Sequence, residues 1–298
     1  RRHAEGMRVD GGPTGKTWIT FNGEIYNHKR LRRELEAKGH RFATRTDTEV
    51  IVHLYEEEGD KCLARLQGMF AFAIWDDRFK KLFCARDRLG IKPFYYLFQE
   101  GAFYFSSEIS ALAALKRLGL KLDPSKIPMI LSMQYLPGTQ TLFKGVRRLA
   151  PGHSLILQRG RLQIRRYWEP LETGGPFPDE DDPRFFVREL RGHLRRAVTD
   201  QMQADVPSGI FLSGGLDSAV IAALAAQEGG KIPTFSVGFR DGGKANELKE
   251  AFKLSRALGT DHAELVMNPE GFADVLPRWM NFLDEPIGDP AAVPTFFL

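Results

Sequence analysis

Cysteine is nearly missing from this chain: 298 residues carry only two, Cys62 and Cys84. Two thiols cannot staple a disulfide framework, and neither has a Cys or His neighbour at the spacing of a zinc finger. So little cysteine fits a reducing compartment, and a cytoplasmic location is the expectation. No apolar run approaches the roughly 20 residues that span a bilayer, and no signal peptide opens the sequence, so no membrane partner is expected. Charge of one sign is scarce as well: 42 basic against 38 acidic residues leave a net +4. The basic residues lie in mixed stretches such as Lys29-Arg30-Leu31-Arg32-Arg33-Glu34-Leu35-Glu36. That pattern suits a solvated helix face and argues against a nucleic-acid groove. Repeats and low-complexity segments are absent too, and no Gly-Lys-Ser/Thr follows the glycine loop at 213–218 at Walker spacing.

What is present is enough apolar material for a substantial core. Hydrophobic residues make up 43% of the chain, with 29 Gly and 17 Pro, as in a loop-rich mixed α and β protein. Residues 1–16 read as a loop or part of a hairpin. Trp18-Ile19-Thr20-Phe21 reads as a strand that ends at the turn pair Asn22-Gly23. A helix with Leu31 and Leu35 four apart follows and stops at Gly39. Thr46-Asp47-Thr48-Glu49 reads as a capping box that opens a second helix, with Val50, Ile51, Leu54 and Tyr55 as its buried stripe. From Gly68 the period changes to strands, and Met69 to Trp75 is apolar on both faces. Hairpins are expected about Gln99-Glu100-Gly101 and Arg159-Gly160. Antiparallel strands with flanking helices make the first region, 1–168, a layered α+β domain.

Residues 169–184, rich in Pro, Gly and acidic side chains, read as a linker. Beyond it, over 185–298, strands alternate with helices, the pattern of a doubly wound parallel sheet whose ligands sit at the strands' carboxyl ends. Ser213-Gly214-Gly215-Leu216-Asp217-Ser218 falls at such an end, after Ile210-Phe211-Leu212 and before a run of small, helix-favouring residues. Its glycines permit positive φ and close backbone approach, and the helix start favours an anion. The plain alternative is a strained strand-to-helix turn capped by Asp217 or Ser218. The loop resembles the pyrophosphate-binding (PP) loop of the ATP-pyrophosphatase class.

Four stretches taken together carry a wider resemblance: Asn22-Gly23-Glu24-Ile25-Tyr26-Asn27; Arg86-Asp87-Arg88-Leu89-Gly90-Ile91-Lys92-Pro93; 213–218; and Asp284-Glu285-Pro286-Ile287-Gly288-Asp289-Pro290. In this order across a linker, they resemble the glutamine-hydrolysing asparagine synthetases. The resemblance implies an N-terminal-nucleophile (αββα) glutaminase domain followed by a PP-loop ATP-pyrophosphatase domain. Glutamine would be hydrolysed in the first. The ammonia would pass through a tunnel to aspartate activated by ATP and Mg²⁺ as β-aspartyl-AMP. By motif position, Asn22 and Gly23 would form the oxyanion hole, and Glu24 and Asp47 would join them in holding glutamine, Asp47 at its ammonium. Leu212, Ser213, Gly214, Gly215, Asp217, Ser218 and Val237 would hold ATP, with Asp217 beside Mg²⁺. Asp284, Glu285 and Asp289 would face the synthetase cleft. Without this context Asn22-Gly23 is an ordinary turn, Asp47 a helix first-turn carboxylate, and the three late carboxylates a solvated turn. Arg86-Asp87 reads as structural, and Glu108 as a helix N-terminal carboxylate near the tunnel side.

The family's nucleophile is an N-terminal cysteine. Position 1 here is Arg, and neither Cys62 nor Cys84 can supply the α-amine that serves as its base. The motif that completes the family's ATP site past residue 298 is also missing. The expectation is therefore a fragment, inactive by itself, with a homodimer among the assemblies to look for. Two other readings compete: an amidotransferase acting on another carboxylate (β-lactam-synthetase-like or exopolysaccharide-associated), and a non-catalytic homologue that binds glutamine and nucleotide.

Overall fold

The computed structural model describes residues 6–12, 15–170, 182–204, 206–229, 231–240, 246–289 and 291–297. Most of the expected linker at 169–184 lies outside them. Two compact units follow one another along the chain, 1–175 and 176–298.

The first unit is built in four layers. Its larger sheet holds β1 (Gly6–Gly12), β2 (Gly15–Ile25), β3 (Gly68–Asp76), β4 (Lys81–Arg86), β8 (His153–Gln158) and β9 (Arg161–Arg166), hydrogen-bonded in that order and antiparallel throughout. The smaller sheet sets β5 (Tyr95–Gln99) between β6 (Ala102–Ser106) and β7 (Arg147–Arg148). Helices α1 (His28–Ala37) and α2 (Asp47–Glu58) cover the outer face of the large sheet. α3 (Ile109–Ala113) covers the outer face of the small one, and α4 (Ile127–Met133) follows it.

Period-2 alternation in β3 and β5 builds these layers. Phe70, Phe72 and Ile74 point to one core with Leu31, Leu35, Val50, Ile51 and Leu54. Ala71 and Ala73 point the other way, against Phe94 and Tyr96 of the small sheet. On β5, Tyr96 faces this inter-sheet core, while Tyr95 and Leu97 meet Ile109 and Leu112 of α3. Helix on sheet on sheet on helix is the αββα order that the family resemblance implies. The hairpin turns fall where expected: Glu100-Gly101 and Arg159-Gly160 both have two successive positive φ angles, as a two-residue hairpin loop requires.

Two expectations fail. β2 does not end at Asn22-Gly23 but runs to Ile25, pairing Asn22 with Ala71 and Gly23 with Phe70. Gly23 has φ +155°, and a Cβ there would lie 2.1 Å from the Met69 carbonyl oxygen. The glycine is demanded by a neighbouring strand, not by a turn. The expected capping box is only half formed. Thr46 accepts the Glu49 N–H at 3.4 Å, but the Glu49 carboxylate turns away to bind the backbone N–H groups of Ala43 (2.7 Å) and Thr44 (2.6 Å).

The second unit opens with α5 (Pro183–Gln201). Then β10 (Ile210–Phe211), α6 (Leu216–Gln227), β11 (Pro233–Phe239), α7 (Leu248–Leu258) and β12 (Asp261–Met267) alternate. The three strands are parallel, in the order β10-β11-β12. α8 (Pro269–Met280), whose cap Asn268 accepts the Gly271 N–H, and α9 (Ala292–Phe297) complete it. Leu212, Ala222 and Ala251 centre its core.

Candidate functional site

In the first unit the chemistry gathers around the last residues of β2. The Asp47 carboxylate, in the first turn of α2, accepts the Ile25 N–H at 2.8 Å. That bond brings Asp47 to the strand end that carries Asn22, Gly23 and Glu24. Burial, aided by the Glu24 and Asp87 carboxylates, raises the Tyr26 phenol above its ordinary pKa. Asn27 secures the exit from the strand: its side chain donates to the Arg65 carbonyl (2.8 Å) and accepts the Gln67 N–H (3.1 Å).

A cavity of about 170 Å³ opens beside Asn22, with Thr20, Ala71, Ala73, Phe105, Ser106 and Ser107 on its walls. Sequence reasoning missed all of these except Asn22. The signal was there in Phe70-Ala71-Phe72-Ala73: large residues on one face of a strand and only methyl groups on the other leave space on that other face. Glu108 does not line the cavity. It precedes α3, exposed, and its carboxylate accepts the Ser110 hydroxyl at 3.2 Å.

Arg86 and Asp87 brace the centre of the domain. Asp87 is 1% exposed and accepts four backbone N–H groups, from Leu89, Ile91, Lys92 and Phe70, at 3.0–3.2 Å. The Arg86 guanidinium donates to the Lys92, Leu149 and Gly90 carbonyls at 2.7–2.8 Å. These are backbone bonds that hold loop 88–92. Both cysteines are fully buried, and burial pushes their thiols well above the ordinary range. Neither can act as a nucleophile.

In the second unit, loop 213–218 joins the carboxyl end of β10 to α6. It is held by its serines: Ser218 Oγ lies 2.7 Å from Ser213 Oγ and bonds the Gly215 carbonyl at 3.1 Å, while Ser213 Oγ accepts the Gly215 N–H at 3.2 Å. Gly214 and Gly215 do not use the positive φ the sequence permitted; Gly215 has φ −81° and stands as the N-cap of α6. Gly214 is required for space instead, since a Cβ would sit 2.8 Å from Cβ of Glu250. The Gly214 N–H donates to the Glu247 carboxylate at 3.1 Å, so this amide already holds an anionic oxygen. Asp217 is exposed in the first turn of α6 and makes no cap bond.

Leu212 is buried with both backbone groups engaged: its N–H on the Phe235 carbonyl at 2.8 Å, its carbonyl on the Ser236 hydroxyl. Val237 is half-buried in β11, paired with Leu265. Asp289 accepts the Ala291 N–H at 2.9 Å at the start of α9. Asp284 and Glu285 are half-buried. A second cavity, about 210 Å³, lies at the carboxyl ends of β11 and β12, lined by Arg240, Leu265, Val266, Met267, Asn268 and Gly271. It adds Arg240 to the candidate residues. Among the described residues no helix is long and apolar enough to cross a membrane.

Comparison with known proteins covers both units. Residues 11–168 match the family described as a glutamine amidotransferase domain, and residues 189–298 match the asparagine synthase family. The chain is 37% identical over 282 residues to asparagine synthetase [glutamine-hydrolyzing] 1 of Bacillus subtilis, covering 94% of this chain and 44% of that protein. It is 39% identical over 286 residues to a putative asparagine synthetase [glutamine-hydrolyzing] of Mycobacterium tuberculosis, with the same two coverages. To a second putative asparagine synthetase [glutamine-hydrolyzing], from Methanocaldococcus jannaschii, it is 34% identical, covering 93% of this chain and 53% of that one. The chain thus spans about half the length of the relatives it matches. With the amidotransferase match alone extending over more than half of its 298 residues, the chain belongs to the glutamine amidotransferase domain family, continued in the same polypeptide by an asparagine synthase segment.

Proposed function

We propose that this protein is an ATP-dependent, glutamine-hydrolysing asparagine synthetase working in the cytoplasm. The observation that carries the reading is the pairing in one chain of a glutaminase-type strand end, Asn22 to Ile25 tied to Asp47, with a serine-locked anion loop at 213–218. Asn22 and Gly23 supply two neutral donors for the oxyanion that develops as the glutamine amide is attacked. Losing one such donor costs about 10²–10³ in rate. Asp47 and Glu24 hold the substrate's ammonium and polar groups.

In the second unit, ATP supplies the adenylyl group that activates the aspartate side-chain carboxylate. Ser213, Gly214, Gly215 and Ser218 hold the departing pyrophosphate. The Gly214 amide fits that task because it already binds a carboxylate oxygen. Asp217, exposed beside the loop, fits a Mg²⁺ that takes one protein carboxylate and completes its shell with phosphate oxygens and water. Leu212 and Val237 shape the nucleotide side of the loop, and Asp284, Glu285 and Asp289 face the acceptor acid.

The test is product analysis on the full-length gene product with glutamine, ATP, Mg²⁺ and aspartate. Asparagine, glutamate, AMP and pyrophosphate in equal amounts are expected. Pyrophosphate exchange that needs a different acid, or none with any acid, overturns the asparagine assignment.

A further inference from the structure

The first unit holds a cluster of metal-ligating side chains away from the β2 strand end. His40 follows α1, while His53 and Glu56 stand on successive turns of α2. One atom from each, an imidazole nitrogen or a carboxylate oxygen, falls within 4.8 Å of the other two. His40 Nδ1 lies 3.0 Å from His53 Nδ1, and His53 Nδ1 lies 3.7 Å from Glu56 Oε2.

The surroundings decide what these atoms present to one another. His40 Nε2 is 3.0 Å from Glu57 Oε1. The carboxylate can only accept, so that nitrogen carries the hydrogen, and in the neutral ring Nδ1 turns a lone pair towards His53. Glu57 is itself anchored by Lys38 at 3.1 Å, and the bonds from His40 and Lys38 hold its carboxyl below the usual range. The other nitrogen of His53, Nε2, stands 3.6 Å from Glu49 Oε1, an oxygen already bound to the Ala43 N–H. His53 is 1% exposed. Both its Nε2 and the Glu56 Oε2 are buried without a hydrogen-bond partner. One proton shared between the two Nδ1 atoms would pair the rings and still leave Glu56 Oε2 unsatisfied. Buried polar atoms are rarely left so, and a bound ion is one standard explanation for the Glu56 oxygen.

We propose that His40, His53 and Glu56 form a structural binding site for a zinc-class divalent cation. Two imidazoles and one carboxylate suit such an ion better than Mg²⁺ or Ca²⁺, which take all-oxygen shells. Metal–ligand bonds of about 2.0–2.1 Å set the edge of a tetrahedron near 3.3 Å. Two of the three edges, 3.0 and 3.7 Å, lie on either side of that value and the third is within 4.8 Å, so side-chain adjustment admits the ion. The Glu57 bond to His40 is the outer contact that fixes the ring of a metal-bound histidine. Water reaches the fourth position from the His40 side, where the side chain is 12% exposed. The ion would clamp the α1–α2 connection onto α2. Phe42, 4.4 Å from the His53 ring, packs there already, and the first turn of the same helix carries Asp47.

The experiment uses the full-length protein stripped with EDTA and titrated with zinc chloride, reading metal content, calorimetric affinity and unfolding temperature. The expected result is one tightly held zinc per chain and a higher unfolding temperature than in EDTA. H40Q abolishes both while unfolding in EDTA as wild type does, H40C restores binding, and E57Q weakens it about 10–100-fold. Substoichiometric zinc in the wild type, or full binding and full stabilisation in H40Q, overturns the site.

Discussion

Asp47 accepts the backbone N–H of Ile25, and this single 2.8 Å bond fastens the first turn of α2 to the end of β2. A strand end and a helix start, 22 positions apart in sequence, become one surface. Replacing the carboxylate by an amide keeps an acceptor for Ile25 while removing the charge. Asp47→Asn is expected to lower kcat/KM for glutamine about 10–100-fold, the worth of one hydrogen bond to a charged group. Ammonia-dependent asparagine synthesis should be unchanged, and paired assays with glutamine and with ammonium chloride check this.

Gly23→Ala should be severely destabilising. Its Cβ would overlap the Met69 carbonyl oxygen at 2.1 Å and lie 2.7 Å from Cα of Phe70, both backbone atoms of a paired strand. The φ of +155° adds strain for any L side chain. A loss of about 2 kcal/mol or more is expected in denaturant unfolding.

Asp87→Ala would strand the buried Phe70 N–H and three part-buried donors, those of Leu89, Ile91 and Lys92, at once. With about 1–3 kcal/mol for each buried donor left unpaired, a net loss of about 3 kcal/mol is a conservative expectation. For a unit of this size that lowers Tm by roughly 6–12 °C. Asp87→Asn, which can still accept, should lose less, and thermal melts of the two variants side by side would show the order.

Ser218→Ala removes the hydroxyl that spans Ser213 and the Gly215 carbonyl. Pyrophosphate exchange should fall about 10-fold or more, the equivalent of one or two hydrogen bonds, while glutamine hydrolysis continues. Equal loss of both activities would point to unfolding and not to the loop.

Acid should loosen the α1–α2 connection through Glu49. Burial opposes the charge of this carboxylate, but hydrogen bonds from Thr44 and Ala43 outweigh it and hold its pKa below the ordinary 4.5. A pKa lowered on folding adds stability above the unfolded value, and that stability disappears as pH falls through the folded one. Unfolding free energy should therefore drop as pH falls below about 4.5, and Glu49→Gln should flatten that limb of the curve.

The layers were legible because they follow from local periodicity. The stripe Val50, Ile51, Leu54, Tyr55 is buried as its spacing requires, and so is β3 from Phe70 to Ile74, while Trp75 near its end is exposed. What escaped depends on partners distant in sequence. Asn22-Gly23 is a fine turn pair taken alone; only β3, with Met69 and Phe70 against it, makes it part of a strand. Gly214 is likewise a matter of Glu250 and Glu247, set on α7 and at its start, and not of φ. Thr46 to Glu49 has the letters of a capping box, yet the nearby Ala43 and Thr44 amides and the Thr44 hydroxyl offer Glu49 three bonds in place of one. Leu212 and Ser213 were visible as a strand end, whereas Arg240 came into view only through the register of β11 and β12.

The alternation along β3 separates two properties that most strands confound. At Phe70, Phe72 and Ile74 a change in volume is felt by the helices and so by folding. At Ala71 and Ala73 it is felt by the space beside Asn22. Adding one methyl group at Ala73 narrows the cleft while the helical core keeps its contacts; trimming Ile74, which does not line the cleft, does the reverse. Selectivity and robustness are thus written in alternate letters of a single strand, and natural variation can adjust one without renegotiating the other.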